Sequence, residues 1–372
     1  MRDLIRANFG LLAAGVATFV MMGAGQSLYG PALPAFGRDL GLSASAAGWL
    51  ISAHWVGCAL GVVVMYRAGA KITPRHVLVL MALGAALIGF LPGRVAAFGG
   101  ALVFGAGYGM STVVFNPRIL RVFGARGTAM LSLLNASFGI GAIAAPLVFV
   151  WLGSDPGRAF ALIALLAAVI WLGAGPAGKA GATPVAGHSG PFRPMLPLQL
   201  FAVVGIGMEA CLIGLGPSAL IATGMGETAA AQLLSAFFVA FLGARVVLIF
   251  TAHLVAPFTL YLGAMALTAV AGVLAAGVAP GVFFVLIGVA AGLYFPGFYV
   301  AASRVMGDDP RTPSIIIAAG LVGGILTPVA LGGLLGQIGG AGFFLVIAGA
   351  AALALAAGLI VRARLSGLRD QG

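Results

Sequence analysis

The sequence predicts an all-α polytopic membrane protein with twelve transmembrane helices in two six-helix halves. Three observations point there. Of 372 residues 62% are hydrophobic and 7% are charged, where a soluble domain carries about 25% charged residues. The apolar residues gather into twelve runs of roughly the 20 residues that a membrane helix needs. The chain also holds 59 glycines, which suit helices packing closely in lipid. Mean hydropathy is +1.15.

The runs are 8–33, 46–66, 76–92, 95–117, 128–152, 159–176, 195–221, 228–250, 257–279, 281–303, 313–338 and 341–361. Gly30-Pro31 ends the first, Asn116-Pro117 the fourth and Gly216-Pro217 the seventh. Most loops are very short. The long polar interval, AGKAGATPVAGHSGPFRP at 177–194, reads as a linker from its Gly, Pro and Ser content. The expected organisation is a bundle at 1–176, a cytoplasmic linker at 177–194 and a second bundle at 195–372. No cleavable signal peptide is expected, because the first run is long enough to span.

The net charge of +11 lies between the apolar runs, so it speaks for orientation in a bilayer rather than for a nucleic-acid partner. With a cytoplasmic N-terminus, that face collects Arg2, Arg6, Arg67, Lys71, Arg75, Arg118, Arg121, Arg126, Lys179, Arg193, Arg245, Arg304, Arg311, Arg362, Arg364 and Arg369. Only Arg38, Arg94 and Arg158 fall on the other side. The expectation is an inner (plasma) membrane protein with both termini in the cytoplasm. Cys58 and Cys211 both lie in apolar runs and read as small packing residues rather than a disulfide framework.

The halves carry an internal repeat. RVFG begins at Arg121 and RVMG at Arg304, 183 positions on. GAIAAP from Gly141 matches GGILTP around Gly323, 182 positions on, and LISA at 50–53 matches LLSA at 233–236. Four such matches in order, counting the Gly-Pro pairs, are hard to obtain by chance. Halves related this way surround a central cavity, with substrate near the midplane.

With this topology and repeat the whole chain resembles the major facilitator superfamily. Asn116-Pro117, LSLLNASFGIGAIAAPL at 131–147, GMEACLIGLGPSAL at 207–220 and SIIIAAGLVGGILTP at 314–328 are similar to its fucose-permease-like branch of sugar:proton symporters. The resemblance implies alternating access, a monomer, no cofactor, a small polar solute and H+ as partner. The loop GAKITPRH at 69–76 keeps Lys71, Arg75 and His76, but Ala70 stands where the superfamily usually has Asp. Gly30 and Thr112 occupy the positions of the branch's acidic residues. The familiar proton-carrying pair is therefore absent.

Ionisable groups inside a membrane usually face the bundle interior. Among the eight acidic residues, only Glu209 lies deep in a span, 14 residues after Met195, or about 21 Å along a helix. It reads as the coupling residue, or else as a structural acid bonded to a neighbouring helix. The candidate substrate-binding residues are Gln26, Tyr29, Trp55, Asn116, Asn135, Tyr294 and Tyr299. Gln26 and Tyr29 share one helix face, and a carboxamide such as that of Asn135 offers donors and acceptors to hydroxyl-rich solutes. The packing alternatives are an interhelical bond for Gln26, an interfacial anchor for Trp55, repair of the proline-broken turn for Asn116, and an aromatic core for Tyr294 and Tyr299. His54 reads as a packed histidine or a proton carrier. Lys71, Arg75 and Arg245 are the gate candidates, with snorkelling as the other role of Arg245.

Three functions compete. The first is cation-coupled uptake of a sugar-like solute. The second is export of an amphipathic drug or metabolite, which a cavity of Phe, Met and Ala would suit. The third, a membrane enzyme, finds no zinc-spaced histidines, no nucleophile triad and no phosphate loop, and no metal is expected.

Overall fold

A computed structural model describes residues 2–175, 177, 195–306 and 311–369. Most of the expected linker, with Lys179 and Arg193, lies outside the described residues, as do Asp308, Asp309 and Asp370. The chain divides into two compact units, Met1–Gly187 and His188–Gly372. In the first, a short α1 (Arg2–Ala7) leads into α2 (Phe9–Leu40), α3 (Ala44–Ala68), α4 (Pro74–Phe90), α5 (Arg94–Phe123), α6 (Gly127–Trp151) and α7 (Pro156–Gly173). In the second, α8 (Leu196–Gly214) and α9 (Gly216–Ala222) form one interrupted span, followed by α10 (Glu227–Thr251), α11 (Pro257–Gly277), α12 (Pro280–Met306) and α13 (Arg311–Arg369). Ten of these helices are long and apolar enough to cross a membrane, and the 17-residue α4 is a shorter apolar helix. α13 has 59 residues, about 88 Å at 1.5 Å per residue, far beyond a 30 Å hydrocarbon core. It turns at Gly339, where φ is 65°, and so holds two spans. The result is twelve spans, six in each unit.

Local chemistry sets several helix starts. Ser43 accepts from the Ala46 N–H to open α3. Asp155 accepts from the Arg158 N–H to open α7 and pairs with the same residue's guanidinium at 3.3 Å. Thr73 and His76 form a reciprocal cap on α4, with the Thr73 N–H donating to His76 Nδ1. Each satisfies amides that a helix start leaves unpaired.

Proline is where the expected boundaries need correcting. Pro31 and Pro34 lie inside α2, which runs on to Leu40 and closes at Gly41 with φ 59°. There Arg94 donates to the Leu40 and Gly41 carbonyls, both at 2.8 Å. Pro117, Pro146, Pro296 and Pro328 are likewise inside helices. A missing N–H ends a helix in water, but in membrane helices neighbouring elements and small adjustments re-satisfy the freed carbonyl. Of the three proline pairs read as span ends, Gly216-Pro217 alone accompanies a break, because Gly214 closes α8 and Pro217 sits in the first turn of α9.

Inside each unit the helices pair in the same pattern, and glycines make the seams. A Cβ on Gly105 or Gly109 would run into the carbonyls of His54 and Cys58. A Cβ on Gly288 or Gly292 would run into those of Phe237 and Phe241. All four partners obey the 183-residue offset, so α3 on α5 repeats as α10 on α12. Likewise Gly141 abuts the Val20 carbonyl and Gly323 that of Val203, so α2 on α6 repeats as α8 on α13. Gly89 lies against Ala161 and Gly272 against Phe344, repeating α4 on α7 as α11 on α13. Such contacts let backbones approach where lipid supplies no hydrophobic drive.

Candidate functional site

In the first unit the polar residues gather around His54 of α3. Its ring lies 5.1 Å from Tyr108, 5.3 Å from Tyr29, 5.6 Å from Trp55 and 5.8 Å from Phe104, between centroids. Tyr108 donates to the Gln26 side-chain oxygen at 2.7 Å, which makes Gln26 part of an α2–α5 hydrogen bond. Tyr29 packs on Phe160 of α7 at 5.4 Å. The Tyr29 hydroxyl and both His54 nitrogens are buried and have no hydrogen-bond partner among the described residues. The structure thus brings Gln26, Tyr29 and Trp55 together and adds His54 and Tyr108 to them.

The other first-unit candidates stand apart from this cluster. Asn135 of α6 is exposed, and its amide donates to the Leu131 carbonyl of its own helix. Asn116 is half-buried, with Oδ1 buried and lacking a partner. Lys71 is exposed in a short 3₁₀ turn, Gly69–Lys71. Arg75 reaches across to the end of α7, over the Trp171 ring at 4.9 Å and near the Leu172 carbonyl at 3.5 Å. One cationic residue was misread as a loop charge. Arg118 lies in α5, is 7% exposed, and donates to the Val114 carbonyl at 3.3 Å. The assumption that Pro117 ended the fourth span hid it.

In the second unit the polar residues gather around Glu209 of α8. Its Oε2 is buried with no hydrogen-bond partner among the described residues. One turn earlier, Gly205 lies beside Tyr294 and Tyr261, which a Cβ there would touch at ordinary contact distances of 3.6 and 3.8 Å. Neither tyrosine hydroxyl bonds to the acid. Tyr294 of α12 shares a 2.5 Å hydrogen bond with Thr268 of α11, and Tyr261 donates to the Phe201 carbonyl at 3.3 Å. Arg245 of α10 interacts with Glu209 through its charge. Its Nε donates to the Gly292 carbonyl at 3.1 Å, and its guanidinium lies 4.3 Å from the Phe241 ring centroid. The absent Cβ at Gly292 that brings α12 onto α10 also brings this carbonyl within reach. Sequence reasoning missed Thr268 and Tyr261, whose relation to the acid depends on how α11 packs. Tyr299 stands aside, half-buried and stacked on Phe295 at 5.0 Å. An apolar groove of about 880 Å³ between the starts of α10 and α12 includes Gln232 but none of these residues.

What such clusters can do is chemically distinct. The first offers neutral donors, acceptors and aromatic faces. The second offers one carboxyl, one guanidinium and a fixed network of hydroxyls. Among the described residues no group of His, Cys, Asp and Glu could hold a metal ion.

The sequence matches the Major Facilitator Superfamily over residues 15–312. No curated protein matches it. Solved structures share the fold at low identity. The nucleoside transporter NupG is 15% identical, with a TM-score of 0.70 over 95% of this chain and 98% of its own. A D-xylose-proton symporter is 14% identical, with a TM-score of 0.73 over 94% and 96%. A bacterial homologue of the human lysosomal transporter Spinster, inward-facing and occupied, is 16% identical, with a TM-score of 0.68 over 95% of each chain.

Proposed function

The chain belongs to the major facilitator superfamily, and from that premise we propose that this secondary transporter moves a small, uncharged, sugar-like solute across the inner membrane, coupled to protons. Alternating access of its two repeated halves is the mechanism expected of the superfamily. The observation that carries the coupling reading is Glu209. It is a lone acid deep in a span, with a buried oxygen that no described residue satisfies and a guanidinium acting on it through space. A carboxyl that takes a proton on one side of the membrane and gives it up on the other needs such a site. When the proton leaves, Arg245 balances the carboxylate. When it returns, Arg245, half-buried, keeps its hold on the Gly292 carbonyl.

The solute class is supported by the neutral polar groups of the first unit and by the xylose and nucleoside specificities in the names of two structural neighbours. Both of those solutes are hydroxylated rings without a formal charge. The aromatic content of the first-unit cluster also favours a second reading, export of an amphipathic compound.

The test is uptake into proteoliposomes with and without an imposed pH gradient. Glu209→Gln keeps the shape and most hydrogen bonds but cannot ionise. It should abolish accumulation against a gradient and leave solute binding in place. A mutant that still concentrates solute as the wild type does would make Glu209 structural. Competition by amphipathic cations but not by sugars or nucleosides would replace the solute class with the exporter reading.

A further inference from the structure

The repeat supplies an internal control for His54. On the register shared by the seams, His54 under Gly105 corresponds to Phe237 under Gly288. Phe237 is fully buried and stacks on Phe284 at 5.0 Å. The same close approach of helices therefore accepts a hydrocarbon ring. In the first unit that place holds an imidazole, 1% exposed, with neither nitrogen partnered among the described residues, beside a tyrosine hydroxyl in the same condition. A buried polar atom left without a partner weakens a fold, and an apolar replacement of similar shape removes the cost. Packing does not account for His54.

The surroundings define what these atoms can take. Four aromatic rings enclose the imidazole, on α2, α3 and α5, and none brings a charge. A neutral imidazole offers one donor and one acceptor, and a phenol offers both. That set fits neighbouring hydroxyls on one ring, which donate and accept in the same way, while aromatic faces cover the ring's apolar side. A free ammonium or carboxylate finds no counter-charge here. Access is also uneven. Tyr29, His54 and Phe104 are buried, and Tyr108 is tethered to Gln26. Trp55 is half-buried and stands edge-on to the imidazole at 81°. Trp55 also stands edge-on to Tyr108 at 6.3 Å, so reaching His54 requires Trp55 to turn away from both rings, while Tyr29 and Phe104 stay in place.

We infer that His54 and Tyr29 form the hydrogen-bonding floor of a solute subsite in the first half, built for a neutral hydroxylated ring and covered by Trp55. The inference rests on the solute class proposed above. It adds His54, Tyr29 and a moving Trp55 as the determinants that select hydroxyl pattern.

The experiment is a thermal-shift and binding titration on the purified full chain in nanodiscs, with D-ribose, D-galactose and uridine as probes. The proteins compared are the wild type, His54→Phe and Tyr29→Phe. At least one probe should raise the wild-type melting temperature, because a ligand bound only to the folded state stabilises it. Without ligand, His54→Phe should melt at or above the wild type, and it should lose the probe's shift. Tyr29→Phe removes a single oxygen and should weaken the same probe by roughly tenfold or more, as sites built to bond a hydroxyl do when the bond is lost. It also serves should His54→Phe fail to fold. Equal probe affinity in wild type and both variants rejects the subsite but keeps the solute class. A ligand-free Tyr29→Phe that melts well below the wild type also rejects the subsite, because that hydroxyl is then partnered in the resting protein. A wild type that none of the probes shifts overturns the hydroxylated-ring class and, with it, the ligand assigned here.

Discussion

Gln26 and Glu209 stand 183 positions apart on the first span of their respective halves, on the register that Val20 and Val203 set. One is an amide held by Tyr108. The other is a carboxyl with an oxygen that no described residue satisfies. Around them the divergence continues. His54 answers to Phe237, Ser111 to Tyr294 and Val62 to Arg245. The glycines and the carbonyls they touch have stayed in step, whereas the polar residues have not. The frame of each half is thus held by backbone approach, which tolerates almost no change. The chemistry sits on positions where an apolar residue is structurally acceptable, as the other half demonstrates.

The largest expected effect comes from breaking that frame in both halves at once or in turn. A methyl on Gly141 or Gly323 would occupy the space of the Val20 or Val203 carbonyl. Overpacking against side chains that can yield already costs about 1–3 kcal/mol, and a helix backbone yields less. Gly141→Ala and Gly323→Ala should each remove most of the folded protein, to a similar degree, measured as the monodisperse peak in size-exclusion chromatography after extraction. Gly243→Ala and Gly263→Ala, where an added Cβ meets nothing within 4 Å, should leave that peak intact. If Gly323→Ala were tolerated while Gly141→Ala was not, the seams would be repeated in sequence but not in energetic weight.

Legibility of the sequence divides along the same line. The twelve spans followed from hydropathy, and the repeat from short matches such as RVFG with RVMG, because both are written in residue type. The seams confirm that the offset is physical: Gly105 and Gly288, invisible as a pair among 59 glycines, meet equivalent carbonyls. Span ends were read less well, since Pro31 and Pro117 look like stops but are carried inside helices. Glu209 and Gln26 were legible as polar residues in apolar runs. Tyr108, Thr268 and Tyr261 were not, because a tyrosine or threonine in a greasy helix carries no mark of its partner until α5, α11 and α12 are packed. Arg118 was lost to a boundary error rather than to any lack of signal.

A middle-sized effect should come from exchanging the two divergent residues. Glu209→Gln removes the only deep acid read from the sequence, and Gln26→Glu places one on the matching turn of the other half. If the carboxyl alone sufficed for coupling, the double variant would regain uphill transport. It should not, because Val62 stands where the second half has Arg245 and Ser111 where it has Tyr294. The expected outcome is solute exchange without concentration in the double variant, read as uptake with and without a pH gradient. Recovery of concentrative uptake would show that the carboxyl's place matters and its guanidinium neighbour does not.

The smallest expected difference separates the two tyrosines. Tyr108→Phe takes the donor from Gln26, a residue only 7% exposed, and leaves its oxygen without that bond. Loss of one partner with the other left unsatisfied costs about 1–3 kcal/mol. Tyr294→Phe breaks the bond to Thr268, but the Thr268 hydroxyl keeps its bond to the Ala264 carbonyl at 2.9 Å. Only the net value of a satisfied hydrogen bond is then lost, about 0.5–1.5 kcal/mol. Tyr108→Phe should therefore lower the melting temperature more than Tyr294→Phe, although both delete one hydroxyl oxygen and Tyr294 is the more buried of the two. Function should split the other way along the comparison. Tyr108→Phe loosens Gln26 and should raise the solute KM with the pH-gradient dependence unchanged. Tyr294→Phe alters the surroundings of Glu209 and should change that dependence at nearly constant KM. Equal shifts of both quantities in both variants would mean that the two halves do not divide solute binding and proton coupling between them, and the contrast between Gln26 and Glu209 would then reflect drift in sequence rather than a division of labour.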